Sequence, residues 1–165
     1  MSAQSSVNTT ADVSTGFSTP VAGDVVRSHP FEMYPYPGVM IAAGAISKGA
    51  VVTLKTQLPY ASGDNGPFGV ATATVASGQD MASNVTGACL LISGWVYMTS
   101  TATIAAGQYV VPSTTSSSTK VAPATIGNLS GSPTWSIIVG NFITPFGIAM
   151  TGISGSGLFV MRIVV

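Results

Sequence analysis

Short apolar runs recur along most of the chain, and each run has the length of a β-strand. The alternation is clearest at Trp135, Ile137 and Val139, which stand against the polar Thr134 and Ser136. A two-residue period places one side of a strand toward a core and the other toward water. The pattern predicts strands at residues 39–43, 50–56, 69–75, 88–99, 109–112, 134–142, 147–150 and 158–165.

Turn-forming residues separate these runs and favour an all-β fold. Glycine and proline cluster at 64–67, 131–133 and 152–157, where glycine supplies positive φ and proline a fixed φ. The chain has six Leu, three Lys and one Glu against nineteen Val and nineteen Thr, a balance that favours strands over helices. Several short strands with frequent turns predict a small barrel or sandwich.

The composition divides the chain into an extended N-terminal arm with its lead-in, 1–37, and a single β domain, 38–165. Residues 1–28 are rich in Ser, Thr, Ala and Val and cannot bury enough apolar surface to fold alone. They are interpreted either as a disordered terminus or as an arm that becomes ordered on a partner. Residues 29–37 carry three prolines and three aromatic residues, which predicts a lead-in that fixes the arm to the domain. The Ser/Thr-rich stretch 113–120 is predicted to be a polar loop.

Charged residues make up 6% of the chain, whereas a soluble domain typically carries about 25%. Five acidic and five basic side chains give a formal net charge of zero, so we expect neither nucleic acid nor a membrane surface as a partner. A surface with so little charge must be covered by small polar residues or by another protein. The charge deficit therefore predicts a surface built for protein contact.

The beginning of the chain and its apolar stretches bear on localisation. The first nineteen residues lack the basic segment and apolar run of a secretory signal, so we expect the protein to be made and kept in the cytoplasm. The longest apolar stretches fall short of the roughly 18 residues that a membrane span needs.

Few side chains are suited to catalysis or metal binding. Cys89 lies in an apolar run and is interpreted as a buried thiol, because a nucleophilic cysteine needs a polar, activating setting. His29 is the only histidine, which leaves no pair of imidazoles for a metal site. Asp64 and Asp80 are candidates for calcium, but Asp64 opens an Asp-Asn-Gly turn. We therefore expect no enzyme activity, no catalytic residue, no metal and no cofactor.

Two phrases recur in the same order along the chain. The phrase AISKGAVV at 45–52 is similar to TIAAGQYVV at 103–111, and FGVATA at 68–73 is similar to FGIAMT at 146–151. In the first phrase a glycine precedes a Val-rich run, as expected for a tight turn that leads into a buried strand. In the second phrase glycine lets the backbone pass close to a neighbour. The repetition favours a duplicated β unit.

The phrases AISKGAVV, FGVA and IAAGQYVV, with the ending GIAMTGISGSGLFVMRIVV, resemble the small capsid cement (decoration) proteins of tailed bacteriophages. The resemblance covers most of residues 40–165. It implies β-rich subunits, commonly trimers, on the outer capsid surface of the virion. Such subunits bridge neighbouring major capsid proteins and resist the pressure of packaged DNA. The chain departs from the shorter family members by its N-terminal arm and by residues 113–145.

The candidate partner-binding residues are Arg27, Phe31, Tyr34 and Tyr36, in and beside the lead-in. Aromatic side chains supply large contact areas and often dominate binding energy, whereas an exposed ion pair contributes about 0 to 1 kcal/mol. We expect these residues to contact the major capsid protein. In the alternative interpretation, the aromatic lead-in only caps the core of its own subunit.

The leading expectation is a non-enzymatic cement protein that self-associates as a homotrimer and binds the capsid. Two other functions stay open. One is a viral fibre or adhesin module that binds a receptor or glycan through exposed Trp95, Tyr97, Tyr109 or Trp135. The other is a self-assembling shell or filament subunit that needs no capsid beneath it.

Overall fold

The computed structural model describes residues 19–33, 41–61, 64, 66–79, 90–113, 119–124 and 145–164. Within these residues the chain is all-β, as the sequence predicts, and it contains a closed five-stranded mixed barrel with further strands attached. The strands are β1 Glu32–Met33, β2 Val51–Thr53, β3 Leu58–Pro59, β4 Phe68–Ala71, β5 Leu90–Ser100, β6 Tyr109–Pro112, β7 Lys120–Pro123, β8 Gly147–Ala149 and β9 Gly157–Ile163.

The barrel consists of β5, β7, β6, β8 and β9, in that order around its wall. β5 and β7 are parallel, and the other neighbours in the barrel are antiparallel. The pairing of β5 with β9 runs from Gly94 opposite Ile163 to Ser100 opposite Gly157, and it closes the barrel. Closure satisfies the backbone hydrogen bonds that the edges of an open sheet would leave exposed.

Strand β5 is eleven residues long and belongs to two parts of the sheet. From Gly94 onward it lies in the barrel, whereas Leu90 and Leu91 pair with β4, which continues to β2 and β3. Gly94 has a φ of +130° at this junction, and a Cβ there would lie 2.6 Å from the Cβ of Phe31. The missing side chain therefore lets residue 31 approach the barrel wall.

The N-terminal residues 19–33 lie along β5. Val25 forms an antiparallel bridge with Val96, and the N–H of Val26 donates to the carbonyl of Trp95 at 2.9 Å. Further along, β1 pairs with β5. This portion of the N-terminal segment is therefore part of the β structure, while residues 1–18 and 34–37 lie outside the described residues.

Two apolar clusters stabilise the fold. The main core fills the barrel and extends over one face of β2 and β4; its buried members are Val25, Val51, Tyr60, Phe68, Val70, Leu91, Val96, Met98, Ile104, Val110, Val121, Phe146, Ala149, Phe159, Met161 and Ile163. The second core covers the other face of β2 and β4; its buried members are Ala42, Ile46, Ala50, Val52, Ala71, Val75 and Leu90. Each large apolar side chain buried here contributes about 1.5 to 3 kcal/mol.

Among the described residues, four turns share one geometry, at residues 21–24, 47–50, 76–79 and 105–108. In each turn the fourth N–H donates to the first carbonyl, and the third residue is a glycine with a φ between +80° and +90°. A positive φ at the third position is typical of a type II turn, which favours glycine there. In three of the turns a side-chain oxygen of the fourth residue, Asp24, Gln79 or Gln108, accepts the first N–H.

The two recurring sequence phrases have the same backbone pairing. Each copy contains an isolated bridge and an antiparallel strand pair, which are Ile46 with Val75 and Val51 with Val70 in the first copy, and Ile104 with Ile153 and Tyr109 with Ile148 in the second. We call residues 46–75 the first unit and residues 104–153 the second unit.

The strand bounds agree with the sequence pattern in most places. The prediction for 109–112 has the bounds of β6, and five further predictions overlap β2, β4, β5, β8 and β9. Residues 41–43 lie in no strand, and the predicted strand 134–142 lies outside the described residues. The pattern does not predict β3 or β7, which contain prolines and depend on pairing with β2 and β6. Lys120, the end of the predicted polar loop, is the first residue of β7.

Tyr60 is a buried polar residue of the main core. Its ring contacts Phe68 edge-on, and in the described part of the chain its hydroxyl has no hydrogen-bond partner. Burial raises the pKa of the Tyr60 hydroxyl above its ordinary value, and the nearby carboxylate of Asp64 adds to the effect. Both causes favour the protonated hydroxyl in the folded protein.

We expect Tyr60→Phe to make the fold more resistant to alkali. Above a pH of about 10 the unfolded chain releases this proton while the folded chain retains it, so wild-type stability falls as the pH rises. The phenylalanine variant lacks that loss and, at neutral pH, buries no unpaired hydroxyl. Urea unfolding of both proteins at neutral pH and above pH 10 measures the difference. A variant that loses as much stability in alkali as the wild type would contradict the prediction.

Candidate functional site

The lead-in residues are held by their own subunit. The guanidinium carbon of Arg27 lies 5.1 Å from the centroid of the Phe31 ring, within the range of a cation–π contact. Phe31 is half-buried and packs against the main core. The His29 ring stacks on Trp95 with centroids 3.7 Å apart and an interplanar angle of 11°. These contacts are those expected of a lead-in that packs on the core of its own subunit.

The four candidate partner-binding residues are only in part brought together. Arg27 and Phe31 contact each other at the surface of β5, and both are half-buried. Tyr34 and Tyr36 lie outside the described residues. The structure therefore shows the positions of two of the four candidate residues, Arg27 and Phe31.

An open groove of about 470 Å³ lies beside the lead-in, where β5 passes from β4 to the barrel. Its apolar lining includes Leu54, Ile92 and Ile163, and its charged lining residues are Glu32 and Arg162. Among the described residues the one ion pair joins Lys48 to Asp24, so the two charges of the groove do not pair with each other. The groove thus has a largely apolar lining and one charge of each sign that forms no ion pair with the described residues.

The outward side of four barrel strands forms a second surface, which we call the outer wall. It consists of Trp95 and Tyr97 on β5, Leu158, Val160 and Arg162 on β9, Ile148 on β8, and Tyr109 on β6. These residues alternate with buried core residues, and Trp95, Arg162, Ile148 and Tyr109 lie opposite one another in one row across the strands. These residues are apolar or aromatic apart from Arg162, and Thr99, the next residue of β5 on this side, is polar and lies opposite Leu158.

The wall exposes large side chains to solvent. Tyr109 is 48% exposed and Leu158 is 36% exposed, while the other apolar and aromatic members are half-buried. In a sheet with one solvated face, alternate residues are usually polar. β9 instead carries apolar residues on both faces, which is typical of a strand that is covered on both sides.

The aromatic residues proposed for glycan binding differ in their accessibility. Trp95 is half-buried, and His29 covers one face of its ring. Tyr97 is also half-buried, whereas Tyr109 is exposed. Trp135 lies outside the described residues. Tyr109 is therefore the described aromatic residue best placed to stack on a ligand.

The sequence identifies Arg162 as a side chain that could bind a carboxylate of a partner, but it predicts neither the groove nor the outer wall. The strand prediction at 158–165 rests on its length and apolar content, and the near-absence of polar residues in that run is the sequence signal of the apolar wall. The position of Arg162 and Glu32 in one groove does not follow from the sequence, because these residues are distant in the chain and are placed there by the pairing of β1 and β9 with β5.

Three findings concern chemistry and relatives. Within the described ranges, no three His, Cys, Asp or Glu side chains lie close enough together to hold a metal ion. No helix in that part of the chain is long and apolar enough to cross a membrane. Comparison with protein-family models, curated proteins and solved structures finds no match for this chain.

Proposed function

We propose that this chain is a non-enzymatic capsid cement protein. It binds the outer surface of the major capsid shell of a virion and stabilises the shell against the pressure of the packaged DNA. The proposal rests on the resemblance of the Gly- and Val-rich phrases to phage decoration proteins and on the exposed apolar wall of the barrel.

The observation that carries the proposal is the exposed apolar wall on a chain with almost no charge. Charged residues make up 6% of the sequence, and Asp24 and Lys48 already pair with each other inside the subunit. Tyr109, Leu158 and Val21 are large apolar side chains at the surface. Such a surface is costly in water and favourable against another protein. It supports a role in a permanent assembly.

The proposed contact with the major capsid protein is the lead-in, with Arg27, Phe31, Tyr34 and Tyr36. Arg27 and Phe31 are half-buried, so each retains surface that a partner can cover. A contact of roughly 1,200 to 2,000 Å², repeated over a closed shell, resists expansion even when each single contact is weak.

Heating particles with and without the chain tests this function. We expect particles that lack it to release their DNA at a lower temperature, because the contacts that bridge capsid subunits are missing. Release is measured by fluorescence of a dye that binds free DNA. Adding back the purified chain is the control, and it should restore the higher temperature. The same release temperature in all three samples would contradict the function.

The exposed ring of Tyr109 favours one alternative, a fibre or adhesin module that binds glycans. Aromatic rings in such modules stack on sugars, and Tyr109 presents about half of its surface. A glycan array separates the two functions: specific binding that Tyr109→Ala abolishes supports the adhesin, and the cement protein gives no specific hit.

A further inference from the structure

We propose that the outer wall is the surface through which this chain binds a second copy of itself. The inference rests on the proposed function for the statement that the cement protein self-associates, and it adds the surface.

The two units of the duplication differ in how their faces are covered. From the first unit, a row of directly opposed residues runs across β2 and β4 onto the neighbouring strand β5, namely Val51, Val70 and Leu91. All three are fully buried in the main core. On the opposite face, Val52, Ala71 and Leu90 are fully buried in the second core. The sheet of the first unit is therefore covered on both sides.

In the second unit and its neighbouring strand β9, the equivalent residues are fully buried on one face only. Val110, Ala149 and Met161 correspond to Val52, Ala71 and Leu90, and they belong to the main core. The row that corresponds to Val51, Val70 and Leu91 is Tyr109, Ile148 and Arg162, which belongs to the outer wall. The face that is fully buried in the first unit therefore has exposed Tyr109 and Arg162 and half-buried Ile148 in the second.

The apolar and aromatic side chains of the wall favour its burial against another protein. Tyr109 and Ile148 lie side by side, and Tyr97, Val160 and Leu158 extend the apolar surface along β5 and β9. Burial of apolar area contributes about 25 cal/mol per Å², so covering these side chains favours association. Aromatic residues and arginine are enriched at interface centres, and the wall has both.

The charges beside the wall select a second copy of this chain as the partner. Arg162 is exposed in the wall and also lines the groove that Glu32 lines. Neither side chain has an ion pair among the described residues. A copy of this chain brings one free carboxylate and one free guanidinium in the same arrangement, so Arg162 of one copy pairs with Glu32 of the next. The surface is complementary to itself in charge as well as in apolar character.

Sedimentation equilibrium of the full chain tests the proposal. We expect the wild type to sediment at a multiple of its 16.6 kDa chain mass. Tyr109→Lys should raise the dissociation constant about tenfold or more, because it replaces the most exposed aromatic side chain of the wall with a charge. Leu58→Lys is the matched control: it also replaces an exposed apolar side chain with lysine, lies outside the wall and should associate like the wild type. Far-UV circular dichroism and thermal unfolding establish that each variant is folded.

Charge reversal provides a second test that leaves the apolar wall intact. Arg162→Glu and Glu32→Arg should each weaken association, and the double variant should restore it, because the reversed pair forms again between copies. A wild type that sediments as a single chain would overturn the proposal. Association of both Tyr109→Lys and Arg162→Glu at the wild-type dissociation constant would also overturn it.

The sedimentation and DNA-release experiments together distinguish a failure of this interface from a failure of the proposed function. A single-chain wild type that still raises the DNA-release temperature of particles overturns the interface and leaves the cement function standing. A wild type that associates through the wall but does not stabilise particles supports the interface and contradicts the cement function.

Discussion

Replacing Gly23 with alanine is expected to lower the free energy of unfolding by about 3 kcal/mol or more. Gly23 has a φ of +90°, a conformation that disfavours any side chain. A Cβ at this position would lie 2.6 Å from the backbone nitrogen of Gly49 and 2.7 Å from the carbonyl oxygen of Ala71. These are backbone atoms, so two turns of the structure would have to move apart.

The close approach of these two turns has a polar component as well. The Asp24 carboxylate is almost completely buried, and it accepts hydrogen bonds from the Lys48 ammonium and from the N–H of Val21. It thereby links turn 21–24 to turn 47–50. Displacement by an alanine at position 23 would separate these groups, which adds to the loss of stability.

Gly107→Ala is the matched control for this prediction. Gly107 occupies the same position in an equivalent turn, with a φ of +82°, but no atom lies within 4 Å of a Cβ placed there. Alanine at 107 should cost only about 1 to 2 kcal/mol, which is the penalty for the left-handed conformation. Urea unfolding of the two variants measures the difference. Equal losses for both would contradict the close packing of the turns.

The second large effect is expected for Leu91→Ala, which should cost about 2 to 5 kcal/mol. Leu91 is fully buried, pairs with Val70 of β4 on one side and with Met33 of β1 on the other, and belongs to the main core. Its removal would leave a cavity at the point where the lead-in, the first unit and the barrel meet. The free energy of unfolding in urea measures the loss.

Leu58→Ala is the control for Leu91. Leu58 lies on the short strand β3 and is 38% exposed. The same chemical change should there cost about 1 kcal/mol, less than at Leu91, because Leu58 is already 38% exposed to water. A Leu91 variant as stable as the Leu58 variant would mean that β5 does not pack as described.

Most of the fold follows from local features of the sequence. The Val- and Thr-rich composition and the frequent glycines lead to an all-β fold, and the run at 109–112 has the bounds of β6. Strand β7 does not follow, because Lys120 and Pro123 are unfavourable in strands and only pairing with β5 and β6 makes the segment extended. Closure of the barrel between β5 and β9 depends on long-range register, which no local pattern specifies.

The candidate site is predictable to a smaller extent. The sequence alone identifies the aromatic lead-in as a candidate site, because three prolines and three aromatic residues occur together. The packing of Phe31 against the core depends on the absence of a side chain at Gly94, which is distant in sequence. The duplication is readable from the recurring phrases, but the contrast between Val51 and Tyr109 is one of burial and needs the structure. This difference in burial between equivalent positions of the two units identifies the outer wall.

A reconstruction of the virion by electron cryomicroscopy tests the central claim most directly. The account predicts many copies of a small β-barrel on the outside of the shell, each in contact with neighbouring major capsid proteins. Density for this chain restricted to a tail fibre, or particles that do not contain the chain, would contradict it.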